Sequence, residues 1–168
     1  MAGITLSSLS SLPDPALSTQ WWIPILPFDT NGEMHKRILS VNVSFENIGE
    51  GEPEYSAGGY YYYAGTTQVE AFSIVFREDE LCTSMKYVYG WKSRVRNPNT
   101  GLVYLPSWYK KDVVVELLNS VKNPIQRVTY KGVYPSTTSQ YALSGETATA
   151  LRVEQQFRCD SIEQVFLV

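Results

Sequence analysis

Between Lys110 and Cys159 the chain carries three short β-patterned runs separated by turn residues, and this third of the sequence most restricts the available folds. Asp112 to Leu118 is rich in Val and Leu, Asn119 to Pro124 reads as a hairpin turn, and Ile125 to Tyr134 follows, so the two runs are expected as antiparallel neighbours. Pro135 to Thr147 is a polar connection. Leu151, Val153, Phe157 and Cys159 then alternate with Arg152, Glu154, Gln156 and Arg158, which predicts a strand with one buried and one charged face. Gly132, just before Tyr134 and Pro135, is expected to allow a bend or a close backbone approach. The same third holds no grouping of reactive side chains.

The first half adds strands of lower quality. Gln20 to Phe28 is aromatic and β-branched, but Pro24 and Pro27 interrupt it, so it reads as an edge or bulged strand. Leu39, Val41, Val43 and Phe45 alternate with Ser40, Asn42 and Ser44, giving one apolar and one wettable face. Between Glu46 and Gly59 the sequence turns to Gly, Glu, Pro and Ser, and no regular element is expected before Tyr60. Alternation resumes from Val69 to Phe76. Glu78 to Arg96 is the one convincing helix, because Leu81, Met85, Val88, Trp91 and Val95 recur at three- and four-residue steps. Glu78, Asp79 and Glu80 at its start and Lys92, Arg94 and Arg96 at its end complement the helix dipole, and Asn97-Pro98-Asn99 stops it. Gly90 inside it is expected to face a packed neighbour.

Strands, then one helix, then strands lack the alternation of a doubly wound parallel sheet. The expectation is a mainly β protein, an antiparallel sandwich or barrel with one flanking helix, forming a single domain from residue 19 to 168 behind a Pro-punctuated arm at 1–18. A chain of 168 residues with 43% hydrophobic and 18% charged residues can fill such a core. The net charge of −3 gives no footprint for gripping phosphates, which disfavours tight nucleic-acid binding. The Ser-rich start lacks the basic region of a signal peptide, and no apolar run nears the roughly 20 residues of a spanning helix, so a cytoplasmic product without a membrane is expected. Cys82 and Cys159, without nearby Cys or His, read as reduced thiols.

No catalytic, cofactor or metal set emerges. His35, the sole histidine, sits in a polar, turn-like stretch. Glu50, Glu52 and Glu54 lack the spaced oxygen ligands and Gly of a calcium loop and read as a solvated acidic loop. Gly58 and Gly59 lead into tyrosines rather than a phosphate-binding helix start. Tyr60, Tyr61, Tyr62 and Tyr63 are four consecutive amphipathic rings, suited to subunit contact or strand packing, with stacking on sugars or nucleotides a further use; no Lys or Arg interleaves them to meet a nucleic-acid backbone. The basic helix end at Arg94 and Arg96 is explained by the dipole.

The layout resembles the tail tube proteins of contractile bacteriophages, a family related in fold to the Hcp tube proteins of type VI secretion. The resemblance runs from about Leu17 to Val168 and rests on the order of short motifs: Tyr63-Ala64-Gly65 leading into Val69 to Phe76, the acidic-start helix through Trp91, Tyr109-Lys110-Lys111 opening a strand, and Tyr130-Lys131-Gly132-Val133-Tyr134-Pro135. It implies a non-enzymatic structural subunit of a virion tail, assembled in the host cytoplasm into stacked homohexameric rings. Strands of six subunits would close one β-barrel around a channel for transient, non-specific DNA passage. The implied partners are further copies of the chain and the sheath, baseplate and tail terminator proteins, and no cofactor is implied. A baseplate tube initiator and a type VI-like tube protein share this fold, and a carbohydrate-binding β-sandwich using the tyrosines is an alternative of a different class. Closure against identical neighbours would also protect long strand edges from uncontrolled pairing. Glu50, Glu52, Glu54 and Tyr60 to Tyr63 are the expected subunit or inter-ring contacts, with the arm alongside them. Ser40, Asn42 and Ser44, free of positive charge, are preferred over the Arg152 to Arg158 face as the channel lining.

Overall fold

Two antiparallel sheets share one strand. The computed structural model describes residues 18–51, 54–56, 59–61, 64–137 and 150–167. The hairpin expected from the closing third is present as β8 (Lys111–Leu118) and β9 (Pro124–Pro135). Its turn is tied by Asn119, whose Oδ1 accepts from the amides of Val121 (3.1 Å) and Asn123 (2.8 Å). On its other side β9 changes partner. From Gln126 to Lys131 it pairs with β11 (Ser161–Phe166), and at Tyr134 and Pro135 it pairs with β10 (Arg152–Arg158).

Gly132 stands where the partner changes. Its φ of +66° lies in the left-handed region, and a Cβ added there would overlap the Asp160 carboxylate, so both the bend and the close approach expected from the sequence are present. The path β1-β8-β9-β10-β7-β2 results, with β1 (Trp21–Ile25) and β2 (Ile38–Asn42) at its two ends and β7 (Phe72–Arg77) inside. As its two prolines predict, β1 is an edge strand with a register irregularity between Trp22 and Ile25.

The inner faces meet through aromatic rings. Phe72 stacks on Tyr130 with centroids 4.0 Å apart, and Phe157 lies 5.5 Å from Phe72. Ile74, Phe76, Val113, Val128 and Val133 complete the buried cluster. Along β10 the burial alternates as expected, with Gln155 filling the buried face between Val153 and Phe157 and donating to the Thr137 carbonyl at 2.7 Å. Helix α1 (Thr83–Val95) lays Val88 and Trp91 on this core, and Trp91 meets Phe157 at 5.3 Å and Phe28 at 5.4 Å.

Several expectations need correction. The helix starts at Thr83 rather than Glu78, because Cys82 takes φ +54° and breaks the helical path. Leu81 therefore stands outside the apolar stripe and is exposed. The acidic residues act from before the helix instead of within its first turn. The buried Glu78 carboxylate accepts from the amides of Ser84 (3.0 Å) and Met85 (2.8 Å), and Asp79 accepts from the Thr83 amide (2.9 Å) and hydroxyl (2.9 Å). These bonds satisfy helix-start donors that Cys82 leaves without a side-chain cap.

Gly90 does not face a packed neighbour: a Cβ there would meet nothing within 4 Å. The run from Val69 to Phe76 is divided at Glu70 and Ala71 between β6 (Ala64–Val69) and β7, since β6 pairs away from the main path. The region from Glu46 to Gly59 is not irregular. It holds β3 (Glu46–Glu50), β4 (Glu54–Ser56) and the start of β5 (Gly59–Tyr61). β3 pairs antiparallel with β6 and β4 with β5, each a two-stranded ladder apart from the main path. Backbone pairing holds them without the apolar alternation that would have marked them. Three further elements were not expected at all: β11, a single helical turn at Pro106–Tyr109 and a 3-10 turn at His35–Arg37.

Candidate assembly surfaces

Three surfaces follow from this architecture: a groove, a projecting loop and the two small ladders β3–β6 and β4–β5. The groove lies between the two end strands of the sheet path, β1 and β2, and has a volume of about 690 Å³. Trp22, Leu39, Val41 and Phe45 contribute its apolar walls, and Val115 and Val128 are buried residues lining it. The alternation of β2 predicted a covered apolar side, yet Leu39 and Phe45 are 45% and 47% exposed, and among the described residues no strand pairs with β2 on its outer side.

A buried charge marks the groove wall. Glu116 accepts from the Trp22 indole Nε1 at 3.0 Å and from Arg127 Nε at 2.8 Å, so its carboxylate is paired despite burial. Sequence reasoning missed this group. The β8–β9 register places Glu116 opposite Arg127, and pairing the hairpin outward from its turn would have exposed the match. His35 also lines the groove, where its Nδ1 lies 2.6 Å from the largely buried Asp29 carboxylate, an arrangement that fixes the ring.

The loop between α1 and β8 is built as a rigid projection. Asn97 Oδ1 accepts from the amides of Asn99 (2.9 Å) and Thr100 (3.2 Å), and Arg96 forms a strand-like bridge with Val103. The rings of Tyr104 and Trp108 stack 5.7 Å apart at 16°. Leu102, Val103, Leu105 and Trp108 are nevertheless 61–68% exposed.

At the other end of the molecule's charge scale, Lys110 holds Asp160 at 2.6 and 2.9 Å, and this hydrogen bond raises the Lys110 pKa. Lys131 on β9 and Glu163 on β11 form a further ion pair at 2.6 Å, which pushes the lysine up and the glutamate down. Burial pushes the Cys159 thiol up to about 11, and both cysteines are free.

No family model matches the chain, and no curated protein matches it in sequence. Solved structures do match over nearly its whole length. A chain from the sheath–tube complex of PVC, an extracellular contractile injection system in its extended state, has a TM-score of 0.67 and covers 98% of this chain and 100% of its own, at 12% identity. A chain from the cap that terminates the tube of the anti-feeding prophage has a TM-score of 0.69 with 93% and 94% covered, also at 12% identity. A type six secretion system protein matches with a TM-score of 0.50 and 14% identity over 87% and 82%. The fold is the tube type of contractile injection systems.

In this tube-type fold the described residues expected as contacts fall on the two small ladders: Glu50 ends β3 opposite Ala64, Glu54 pairs with Tyr61, and Tyr60 pairs with Tyr55. Glu52, Tyr62, Tyr63 and residues 1–17 of the N-terminal arm lie outside the described residues. Ser40 and Asn42 are exposed on β2, whereas Ser44 follows that strand, half-buried, and donates to the Glu70 carbonyl at 3.1 Å. No described helix is long and apolar enough to cross a membrane, and the described residues contain no group of three or more potential metal ligands.

Proposed function

We propose that this protein is a structural subunit of a contractile-tail tube, forming hexameric rings that stack around a channel. The observation that carries this reading is the match to the PVC sheath–tube chain over 98% of this chain and 100% of that one. The open groove between β1 and β2 supports it, because a sandwich left with half-exposed Trp22 and Leu39 at its edge gains by pairing with another subunit. The working part is then assembly rather than catalysis, with residues 19–168 as the wall and residues 1–18 as an arm toward a neighbouring ring. Glu50, Glu52, Glu54 and Tyr60 to Tyr63 are the proposed subunit or inter-ring contacts, and Ser40, Asn42 and Ser44 the proposed channel lining.

In a phage tail the channel would pass DNA at ejection, and the net charge of −3 favours a lumen that does not retain it. The sheath, baseplate and terminator are the proposed partners, with assembly in the host cytoplasm preceding incorporation into the virion. A tube-end role is a second reading, favoured by the comparable likeness to a cap chain (TM-score 0.69) and to a baseplate chain (TM-score 0.64). Negative-stain microscopy of the purified protein across a concentration series tests both. Long tubes with a central hole support the tube subunit, isolated rings support the tube-end role, and a persistent monomer refutes both.

A further inference from the structure

The projecting loop and the groove stand at opposite ends of one strand. The loop at 102–108 feeds the beginning of β8 at Lys111, while Val115, Glu116 and Leu117 at the far half of β8 line the groove. Six residues of strand separate Lys111 from Leu117, about 20 Å at the usual rise. The loop of one molecule is thus held away from the groove of the same molecule.

The two surfaces are complementary in chemistry. Leu102, Val103, Leu105 and Trp108 form an apolar projection ordered in advance by the Asn97 bonds and the Tyr104–Trp108 stack, which lowers the entropy lost on docking. The groove is concave and apolar, with Trp22, Leu39 and Phe45 on its rim. Charges match as well: exposed Arg96 and Lys111 flank the loop, while exposed Glu46 adjoins Phe45 at the groove rim. An apolar knob and an apolar hole on different ends of one molecule make a heterologous contact, which closes into a ring or propagates as a filament.

We infer that the 102–108 loop of one copy docks in the β1–β2 groove of a second copy, head to tail. The contact rests on the tube reading and specifies which surfaces join the subunits. The test uses the chain with exposed Cys82 replaced by Ser and carrying both Val103→Cys and Leu39→Cys, treated with a short bis-maleimide under assembling conditions. A ladder of covalent oligomers is expected, absent when either new cysteine is present alone. In parallel, Leu105→Asp with Trp108→Ser, at exposed sites outside the core, should leave the circular dichroism spectrum unchanged and lower the assembled fraction at least about tenfold. Normal rings from that variant, with no ladder from the double-cysteine chain, would overturn the contact and leave the tube reading standing. A wild-type chain that stays monomeric in the microscope would remove the tube reading and the contact together.

Discussion

Replacing Gly132 probes the bend by which β9 serves two sheets. At φ +66° an L side chain costs about 1–2 kcal/mol in backbone conformation. The new Cβ would also displace the Asp160 carboxylate, which can rotate away only by leaving Lys110. Asp160 is 56% exposed, so loss of that pair adds about 0–1 kcal/mol. Gly132→Ala should therefore destabilise by about 1–3 kcal/mol, a fall in Tm of very roughly 2–12 °C for a domain of this size. Asp160→Ala alone should cost no more than about 1 kcal/mol. The double variant should match Gly132→Ala within error, because the ion pair is lost once in either case. Urea unfolding of all four proteins measures these differences. A neutral Gly132→Ala, within about 0.5 kcal/mol of wild type, refutes the reasoning. Full rescue by Asp160→Ala refutes it differently, by assigning the whole cost to steric overlap. The β-branched Gly132→Val should cost more, and should lose ring formation before it loses soluble expression.

Glu78→Ala should destabilise by about 1–3 kcal/mol, since the Ser84 and Met85 amides lose their acceptor, while Glu78→Gln retains one acceptor and should cost less; equal, negligible effects in thermal melts would count against this capping role. Asp79 is held down to about 2, first by the Thr83 amide and then, against desolvation, by the Thr83 hydroxyl and Arg37. Its contribution is complete above the ordinary value of 3.8 and is lost as pH falls through about 2, so Asp79→Asn should flatten the acid-side decline between about pH 4 and pH 2, and an unchanged pH–stability profile would exclude that contribution.

The elements most legible in sequence were those whose side chains alternate against a core. The β8–β9 hairpin, the buried and charged faces of β10, the edge character of β1 and the bend at Gly132 all followed from period-two patterning and backbone rules. The β3–β6 and β4–β5 pairs did not, because backbone pairing leaves no apolar period to read. The start of α1 was misplaced for a related reason. Glu78 and Asp79 suit a first helical turn by charge, but here they cap the helix from outside it, a distinction made by the φ of Cys82 rather than by residue type. β11 escaped notice because Ser161 to Phe166 mixes polar and apolar residues on a strand paired along only one side. Among the proposed contacts, the ladder residues could be singled out as a cluster, whereas the groove required β1 and β2, joined through four intervening strands, to be placed in space.

The shared strand also bears on synthesis. β1 waits for β8, some 90 residues later in the chain, and β7 waits for β10, so neither sheet can be finished as its first strands leave the ribosome. The β3–β6 pair can form early, but the Phe72–Tyr130–Phe157 stack draws on three distant segments and forms only near the end of translation. A polypeptide interrupted before β10 would lack one of the two partners of β7 and the ring of Phe157, leaving the second sheet without its inner join even though every residue that lines the groove had been made.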